Sequence, residues 1–148
     1  RHSSSVRLVL KHSPLEAHTG ALAAARIFEA LARQSVEKAW RFHDEVFANQ
    51  EALDNLPEDP ATREQHFRKA AQKVGAVSVR LESDLRDPAL SERIQRDGRE
   101  AEKFGFETTP NILVNGERVE SALSEEELDA VIAKHLRKAA PEAPPAAR

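Results

Sequence analysis

Histidines are the side chains in this sequence that most readily suggest metal binding or catalysis. His12, His18 and His43 lie in the first third of the chain, where a metal site could form. None belongs to a His-x-x-x-His pair, the spacing that places two imidazoles on one face of a helix. A hydrogen-bonded or capping histidine is therefore the favoured interpretation of each. His43 and Asp44 are neighbours on a predicted helix, where adjacent side chains point apart, so we expect no dyad.

The acidic residues also lack a catalytic arrangement. The run Glu125–Glu127 could attract a cation, but Ser124 followed by Glu127 is a capping box, and acid in a first turn complements the helix dipole. Glu100 and Glu102 lie on different sides of a helix and form no acid–base pair. There is no glycine-rich phosphate loop, Gly-x-Ser-x-Gly elbow or Walker motif. We therefore predict no catalytic residue, metal ligand or cofactor-binding residue.

Composition excludes further classes of function. None of the 148 residues is cysteine, which rules out a disulfide, a thiolate metal ligand and a cysteine nucleophile in this chain. The net charge of -3 provides no basic field for nucleic acid or an anionic membrane surface. No stretch approaches the roughly 20 apolar residues of a transmembrane helix. The chain starts at Arg1 rather than Met and carries no signal-peptide pattern, which predicts a processed or partial product.

The elements that must position any site begin with a strand and a block of helices. The aliphatic run Val6–Leu10 predicts a strand buried on both faces. Helices are predicted after Gly20 and after Ser35. The pairs Asp59-Pro60 and Asp87-Pro88 each combine a capping side chain with a proline at the first helical position, which predicts two further helix starts.

An aromatic stripe marks the helix that follows Ser35. Val36, Trp40, His43 and Phe47 recur at helical spacing. We expect Trp40 and Phe47 to be substantially buried in the core of the helical block, where burial of aromatic rings stabilises by a few kcal/mol.

The pattern changes after Gly105 to that of a hairpin. Ile112–Val114 predicts a strand, and Arg118–Glu120 predicts the returning strand. The two residues Asn115-Gly116 favour a tight turn because both accept a positive φ. A last amphipathic helix follows Ser124. From its position alone, the Thr109–Pro110 bond just before the hairpin is expected to be trans.

Four segments resemble, in the same order, the DsbA-like thiol–disulfide oxidoreductases of the thioredoxin superfamily. The resemblance implies an α/β, thioredoxin-like fold with a helical insertion domain, lacking its N-terminal strand–helix unit. The core would comprise residues 1–15 and 105–138, the insertion residues 16–104, and a disordered Ala/Pro tail residues 139–148. The four segments read VRLVLKHSPLEAH, WRFHDEVFANQ, ESDLRDPALSERIQRDGREAEKFG and GFETTPNILVNGERVESA.

The last of these segments resembles the cis-proline hairpin of that family. The resemblance implies a cis bond between Thr109 and Pro110, and it implies that these two residues bind an extended substrate peptide through strand-like backbone pairing. The implied partners are extended polypeptides or a redox partner protein, in the cell envelope, periplasm or another extracytoplasmic compartment. The oligomeric state is left open.

In that family a Cys-x-x-Cys motif performs the exchange chemistry, and by resemblance it would precede Arg1. The intact protein would then be a dithiol–disulfide oxidoreductase acting on protein thiols, while this chain, without cysteine, is expected to be redox-inert as given. The alternative is a non-catalytic thioredoxin-like module that binds peptides or proteins. A third reading, a small helical adaptor, would require a trans Thr109–Pro110 bond and no strand pairing.

The resemblance also implies an empty position in the sheet. The strand that leads to Cys-x-x-Cys would lie between Val6–Leu10 and Ile112–Val114, and unpaired strand edges are costly and prone to aggregation. We expect a segment outside this sequence to fill the position. The alternatives are a strand from a neighbouring chain and direct pairing of Val6–Leu10 with Ile112–Val114.

Overall fold

The computed structural model describes residues 4–119 and 123–139, and the chain divides into two compact units. The helical unit is Lys11–Gly105. The hairpin unit combines Arg1–Leu10 with Phe106–Arg148. Together they give a mixed α/β architecture, as the sequence predicts.

Six helices form the described helical unit, and local signals set where two of them start. The Asp59 carboxylate accepts a 2.7 Å hydrogen bond from Thr62 N, and the Asp87 carboxylate accepts a 2.9 Å bond from Ala89 N. Both predicted Asp-Pro helix starts are therefore confirmed. The helices are α1 (Ala21–Gln34), α2 (Val36–Ala48), α3 (Gln50–Asp54), α4 (Pro60–Lys73), α5 (Ser78–Leu85) and α6 (Pro88–Lys103).

Helix α1 is the centre of the helical unit. It packs against α2, α4, α5 and α6, and its Ile27 and Leu31 side chains are almost completely buried. Gly20 precedes it with a φ of +92°, and a Cβ at that position would come within 3.1 Å of Arg63 Cβ and of a Phe67 ring carbon. Glycine therefore allows both the left-handed backbone and the close approach of α1 to α4.

The buried face of α2 differs from the predicted one. Ala39 and Phe42 are buried, and the Phe42 ring meets Phe67 edge-on at 6.5 Å. Trp40 is only half-buried and Phe47 is 63% exposed, so the expectation that both are substantially buried is wrong for Phe47 and only partly met for Trp40. The helix has more than one apolar stripe, and spacing alone does not determine which stripe meets the core.

The hairpin unit contains the predicted two-residue turn. Strands β1 (Ile112–Val114) and β2 (Glu117–Val119) are antiparallel, with Val114 opposite Glu117 and Ile112 opposite Val119. Asn115 and Gly116 have φ values of 50° and 84°, as a turn of two left-handed residues requires. The hairpin prediction is confirmed, although the returning strand begins at Glu117, and Glu120 lies outside the described residues.

A final helix, α7 (Glu125–Ala139), follows the hairpin. The Ser124 hydroxyl accepts a 3.2 Å bond from Glu127 N, while the Glu127 carboxylate accepts a 2.8 Å bond from Ser124 N. This arrangement confirms the capping box. Ala139 is helical, which corrects the start of the predicted tail, and the rest of that segment lies outside the described residues.

The predicted strand Val6–Leu10 is not a strand in this structure. Leu8 is 75% exposed and Val9 is 54% exposed, and within residues 4–119 and 123–139 the sheet contains β1 and β2 alone. Direct pairing of this segment with β1 is therefore not observed. The physical reason is that a strand is stabilised by its neighbours, and no described strand pairs with this aliphatic run.

The packing of α1 generates a stability prediction. Leu31→Ala should lower the free energy of unfolding of the helical unit by about 2–5 kcal/mol, because it removes a completely buried side chain and leaves a cavity. Leu22→Ala, a half-exposed position on the same helix, should change it by no more than about 0.5 kcal/mol. Urea unfolding followed by Trp40 fluorescence measures both, and equal effects would contradict the assignment of the core.

Candidate functional site

The residues predicted to bind substrate lie in an exposed loop before the hairpin. Thr109 and Pro110 are both exposed, and the peptide bond between them is cis. No residue in the described part of the chain hydrogen-bonds the Thr109 backbone, whereas the Thr108 carbonyl accepts a bond from the Asn111 side-chain amide. Within residues 4–119 and 123–139, the Thr109 N–H and C=O groups therefore have no partner and can accept one from another chain.

Two side chains brace this loop. The Asn111 side chain bonds Thr108 through its amide nitrogen, and its oxygen accepts a 3.3 Å bond from Arg118 Nη2 on β2. The Arg118 guanidinium carbon lies 4.9 Å from the centre of the Phe106 ring, a cation–π contact. Contacts of the residues on either side of Thr109 thus anchor the loop to the hairpin. This anchoring reduces the conformational entropy that the loop loses when a ligand binds.

An ion-pair cluster fastens the hairpin to α7. The two Glu117 carboxylate oxygens lie 2.7 and 2.9 Å from Lys134 Nζ, and one of them lies 2.9 Å from His135 Nε2. Hydrogen bonds from Lys134 and then from His135 lower the pKa of the Glu117 carboxyl. Glu117 is 41% exposed, so solvent screens the cluster and its contribution to stability is small.

In the acidic run at the start of α7, Glu127 takes part in the helix cap, as predicted. Bonds from the Ser124 backbone and then from its hydroxyl lower the pKa of the Glu127 carboxyl. Within the described ranges, no group of three or more His, Asp or Glu side chains could hold a metal ion.

A buried polar cluster in the helical unit was not predicted. His12 Nε2 lies 3.0 Å from a Glu29 carboxylate oxygen, and the other oxygen lies 2.8 Å from Arg93 Nε. The Asp97 carboxylate accepts bonds from His12 N at 3.2 Å and from Lys11 Nζ at 3.1 Å. Both carboxylates are more than nine-tenths buried. The cluster holds the segment before α1 against α1 and α6.

The sequence does contain a signal for this cluster. Asp97 follows Leu90 and Ile94 on the core face of α6, and Glu29 lies within the apolar run of α1. A charged residue at a core position requires a buried partner, so both positions could have been selected by this criterion.

The predictions made for His12 and for His43 have different outcomes. His12 is hydrogen-bonded, as expected, and His66 and His135 are half-buried. His43 Nδ1, however, lies 3.0 Å from the Asp44 carboxylate, so the expectation that these neighbours stay apart is wrong. Nδ1 is close to the backbone of its own residue, and a short carboxylate on the next residue can reach it. Asp44 is 78% exposed, which makes this a local surface pair.

The fold and the sequence motifs agree with a match to a known family. A family model described as thioredoxin matches residues 2–134. The chain belongs to the thioredoxin family. This membership confirms the thioredoxin-like fold class. Membership of this family supports the resemblance to the DsbA-like proteins, as do two of the similar proteins named next.

Three curated proteins are similar to this chain. "Probable disulfide bond formation protein D" of Bacillus cereus and that of Bacillus anthracis are 27% and 26% identical over 89 residues, which is 60% of this chain and 40% of each relative. The Na(+)/H(+) antiporter NhaA of Herminiimonas arsenicoxydans is 32% identical over 127 residues, 86% of this chain but 18% of the antiporter. The chain therefore spans less than half the length of each of these relatives.

No solved structure matches this chain. Among the described helices, none is both long and apolar enough to cross a membrane.

The Glu117 cluster generates a pH prediction. Because the folded-state pKa of Glu117 lies below its ordinary value of 4.5, the pairs with Lys134 and His135 contribute stability above that pH, and the contribution is lost as the pH falls through the folded pKa. In an NMR titration of the Glu117 carboxyl carbon, the midpoint should lie below 4.5.

Two variants test the cause of this shift. Lys134→Gln should raise the Glu117 midpoint towards its ordinary value, because Lys134 provides the largest contribution. Lys138→Gln, an exposed lysine on the same helix, should leave the midpoint unchanged. A Glu117 midpoint that is the same in the Lys134→Gln variant as in the unmodified chain would contradict the assigned ion pair.

Proposed function

We propose that this chain is the peptide-recognition part of a thioredoxin-fold protein–disulfide oxidoreductase. Membership of the thioredoxin family and the similarity to the two disulfide bond formation proteins support this proposal. Its substrates are extended polypeptides or a redox partner protein, and its place is the cell envelope or another extracytoplasmic compartment, by the same resemblance.

The observation that carries the proposal is the open backbone at Thr109. Thr109 is exposed and its N–H and C=O groups have no hydrogen-bond partner within residues 4–119 and 123–139, while the neighbouring Thr108 and Asn111 are hydrogen-bonded to each other. An extended peptide that runs alongside Thr109 pairs with these groups as a strand does. Backbone pairing does not depend on side-chain identity, which suits an enzyme that accepts many unfolded substrates.

The chemistry itself needs cysteines that this chain does not carry. In the proposed protein, a Cys-x-x-Cys disulfide in a segment before Arg1 accepts the attack of a substrate thiolate. The resulting mixed disulfide is resolved by a second substrate thiolate. The substrate thiols are then oxidised to a disulfide and the Cys-x-x-Cys pair is reduced to the dithiol. The present chain contributes the Thr109 surface, which holds the substrate.

The second candidate is a thioredoxin-like module that binds peptides without catalysis. The observation that favours it is the absence of cysteine from all 148 residues. It shares the Thr109 surface with the first candidate and differs from it only in the segment before Arg1.

The coding sequence immediately upstream of Arg1 separates the two candidates. The oxidoreductase proposal expects a Cys-x-x-Cys motif about 15–25 residues before Arg1, a spacing that one helix spans. Serine or other residues in place of both cysteines would overturn the enzyme and leave the binding module.

Backbone pairing at Thr109 gives a prediction that holds for both candidates. Thr109→Pro removes the N–H group and should weaken the binding of reduced, alkylated insulin B chain by about fivefold or more, since a net hydrogen bond contributes about 1 kcal/mol. Thr109→Val is the matched control, because it keeps the N–H group and the branched shape. Isothermal titration calorimetry measures both affinities, and equal affinities would contradict pairing through this amide.

A further inference from the structure

The helical unit contains an open groove that the proposed function does not use. It has a volume of about 410 Å³ and is lined by residues of α1, α4 and α5. Three arginines, Arg26, Arg68 and Arg86, line it together with two glutamates, Glu64 and Glu82. We call it the arginine groove.

The two glutamates of the groove are both committed to one arginine. Arg68 Nε donates a 2.9 Å bond to Glu64, and Arg68 Nη1 donates to Glu82. Arg86 is exposed, and its guanidinium group has no hydrogen-bond or ion-pair partner in the part of the chain that the structure describes. The arginine groove therefore carries an excess of positive charge that its own acidic residues do not neutralise.

Arg26 has an unused donor at the same place. Its Nη2 donates to the Leu85 carbonyl, but its buried Nε has no hydrogen-bond partner among the described residues. A buried donor without an acceptor costs about 1–3 kcal/mol, more when it belongs to a charged group. Arg26 therefore retains a donor that the described residues do not satisfy.

The remaining lining is apolar. Leu22, Ala23, Ile27 and Leu85 lie beside the arginines, and Leu22 is 53% exposed. A volume of about 410 Å³ falls in the range of small-molecule sites. The groove therefore joins an apolar wall to a cationic end.

We propose that the arginine groove binds a carboxylate attached to a small aliphatic body. The planar guanidinium fork matches the two oxygens of a carboxylate, and Arg86 adds a second positive charge. The aliphatic body lies on Leu22, the exposed apolar side chain of the lining. Such a group occurs in a free short-chain acid and at the C-terminus of a peptide that ends in an aliphatic residue.

The test is a titration of the full chain with sodium hexanoate, followed by two-dimensional amide NMR. Hexanamide, which has the same body without the charge, is the matched ligand control. The proposal expects saturable shifts at the amides of the groove with hexanoate and at least about fivefold weaker binding of hexanamide, since a hydrogen bond to a charged group contributes about 1.5–3 kcal/mol. Equal binding of the two ligands, or shifts confined to other parts of the chain, would overturn it.

Arginine variants locate the site. Arg86→Ala should weaken hexanoate binding at least about fivefold, and Arg26→Lys should weaken it as well, because lysine keeps the charge but loses the fork. Arg96→Ala removes an exposed arginine of α6 outside the groove and should leave the affinity unchanged. Since Arg86 is exposed, its substitution leaves the core intact, and an unchanged affinity for this variant would overturn the assignment.

A second ligand pair distinguishes the two sources of the carboxylate. N-acetyl-Ala-Ala-Leu with a free C-terminus is compared with its C-terminal amide. Binding of the free peptide more tightly than hexanoate, with loss on amidation, supports a peptide C-terminus. Hexanoate as the tighter ligand supports a free acid, and failure of both carboxylates to bind overturns the proposal. None of these outcomes depends on the Thr109 surface, so the two proposals fail or succeed separately.

Discussion

The burial of α1 organises the helical unit, because four other helices pack on this one. Ile27 and Leu31 lie at its centre with almost no exposed surface. The free energy gained from burial of an apolar side chain is roughly proportional to the area removed from water. A side chain in contact with several helices therefore stabilises the positions of all of them at once. Gly20 is part of the same constraint, since a larger residue there would push α1 away from Arg63 and Phe67 on α4.

Two buried carboxylates extend this constraint to the segment before α1. Glu29 and Asp97 would each be costly in the core without partners, because removing a charge from water is unfavourable. His12, Arg93 and Lys11 provide those partners. The segment that carries His12 and Lys11 is therefore held in place by the requirement that the two carboxylates be neutralised.

Features set by neighbouring residues could be predicted from the sequence. The Asp59-Pro60 helix start and the Asn115-Gly116 turn depend on hydrogen bonds and dihedral angles within a few residues, and the structure contains both. Features set by distant partners could not be predicted in the same way. Val6–Leu10 has the composition of a buried strand, yet whether it pairs depends on another strand.

The face of α2 illustrates the same limit. Phe47 and Phe42 are both aromatic and lie on different stripes of one helix, and it is packing against other helices, including the contact with Phe67 of α4, that buries Phe42. The candidate site was accessible to sequence reasoning through its resemblance to a known hairpin. The bracing by Arg118 and Phe106 was not, because a cation–π contact depends on how the returning strand aligns with the loop.

The proposed function depends on pairing of an extended polypeptide with the backbone of Thr109. Residue-resolved amide hydrogen exchange, measured with and without saturating reduced, alkylated insulin B chain, tests this claim directly. We expect the Thr109 amide to exchange more slowly in the complex, while the amides of α1 exchange at the same rate in both samples. An unchanged exchange rate at Thr109 in a chain that is fully bound to the peptide would contradict it.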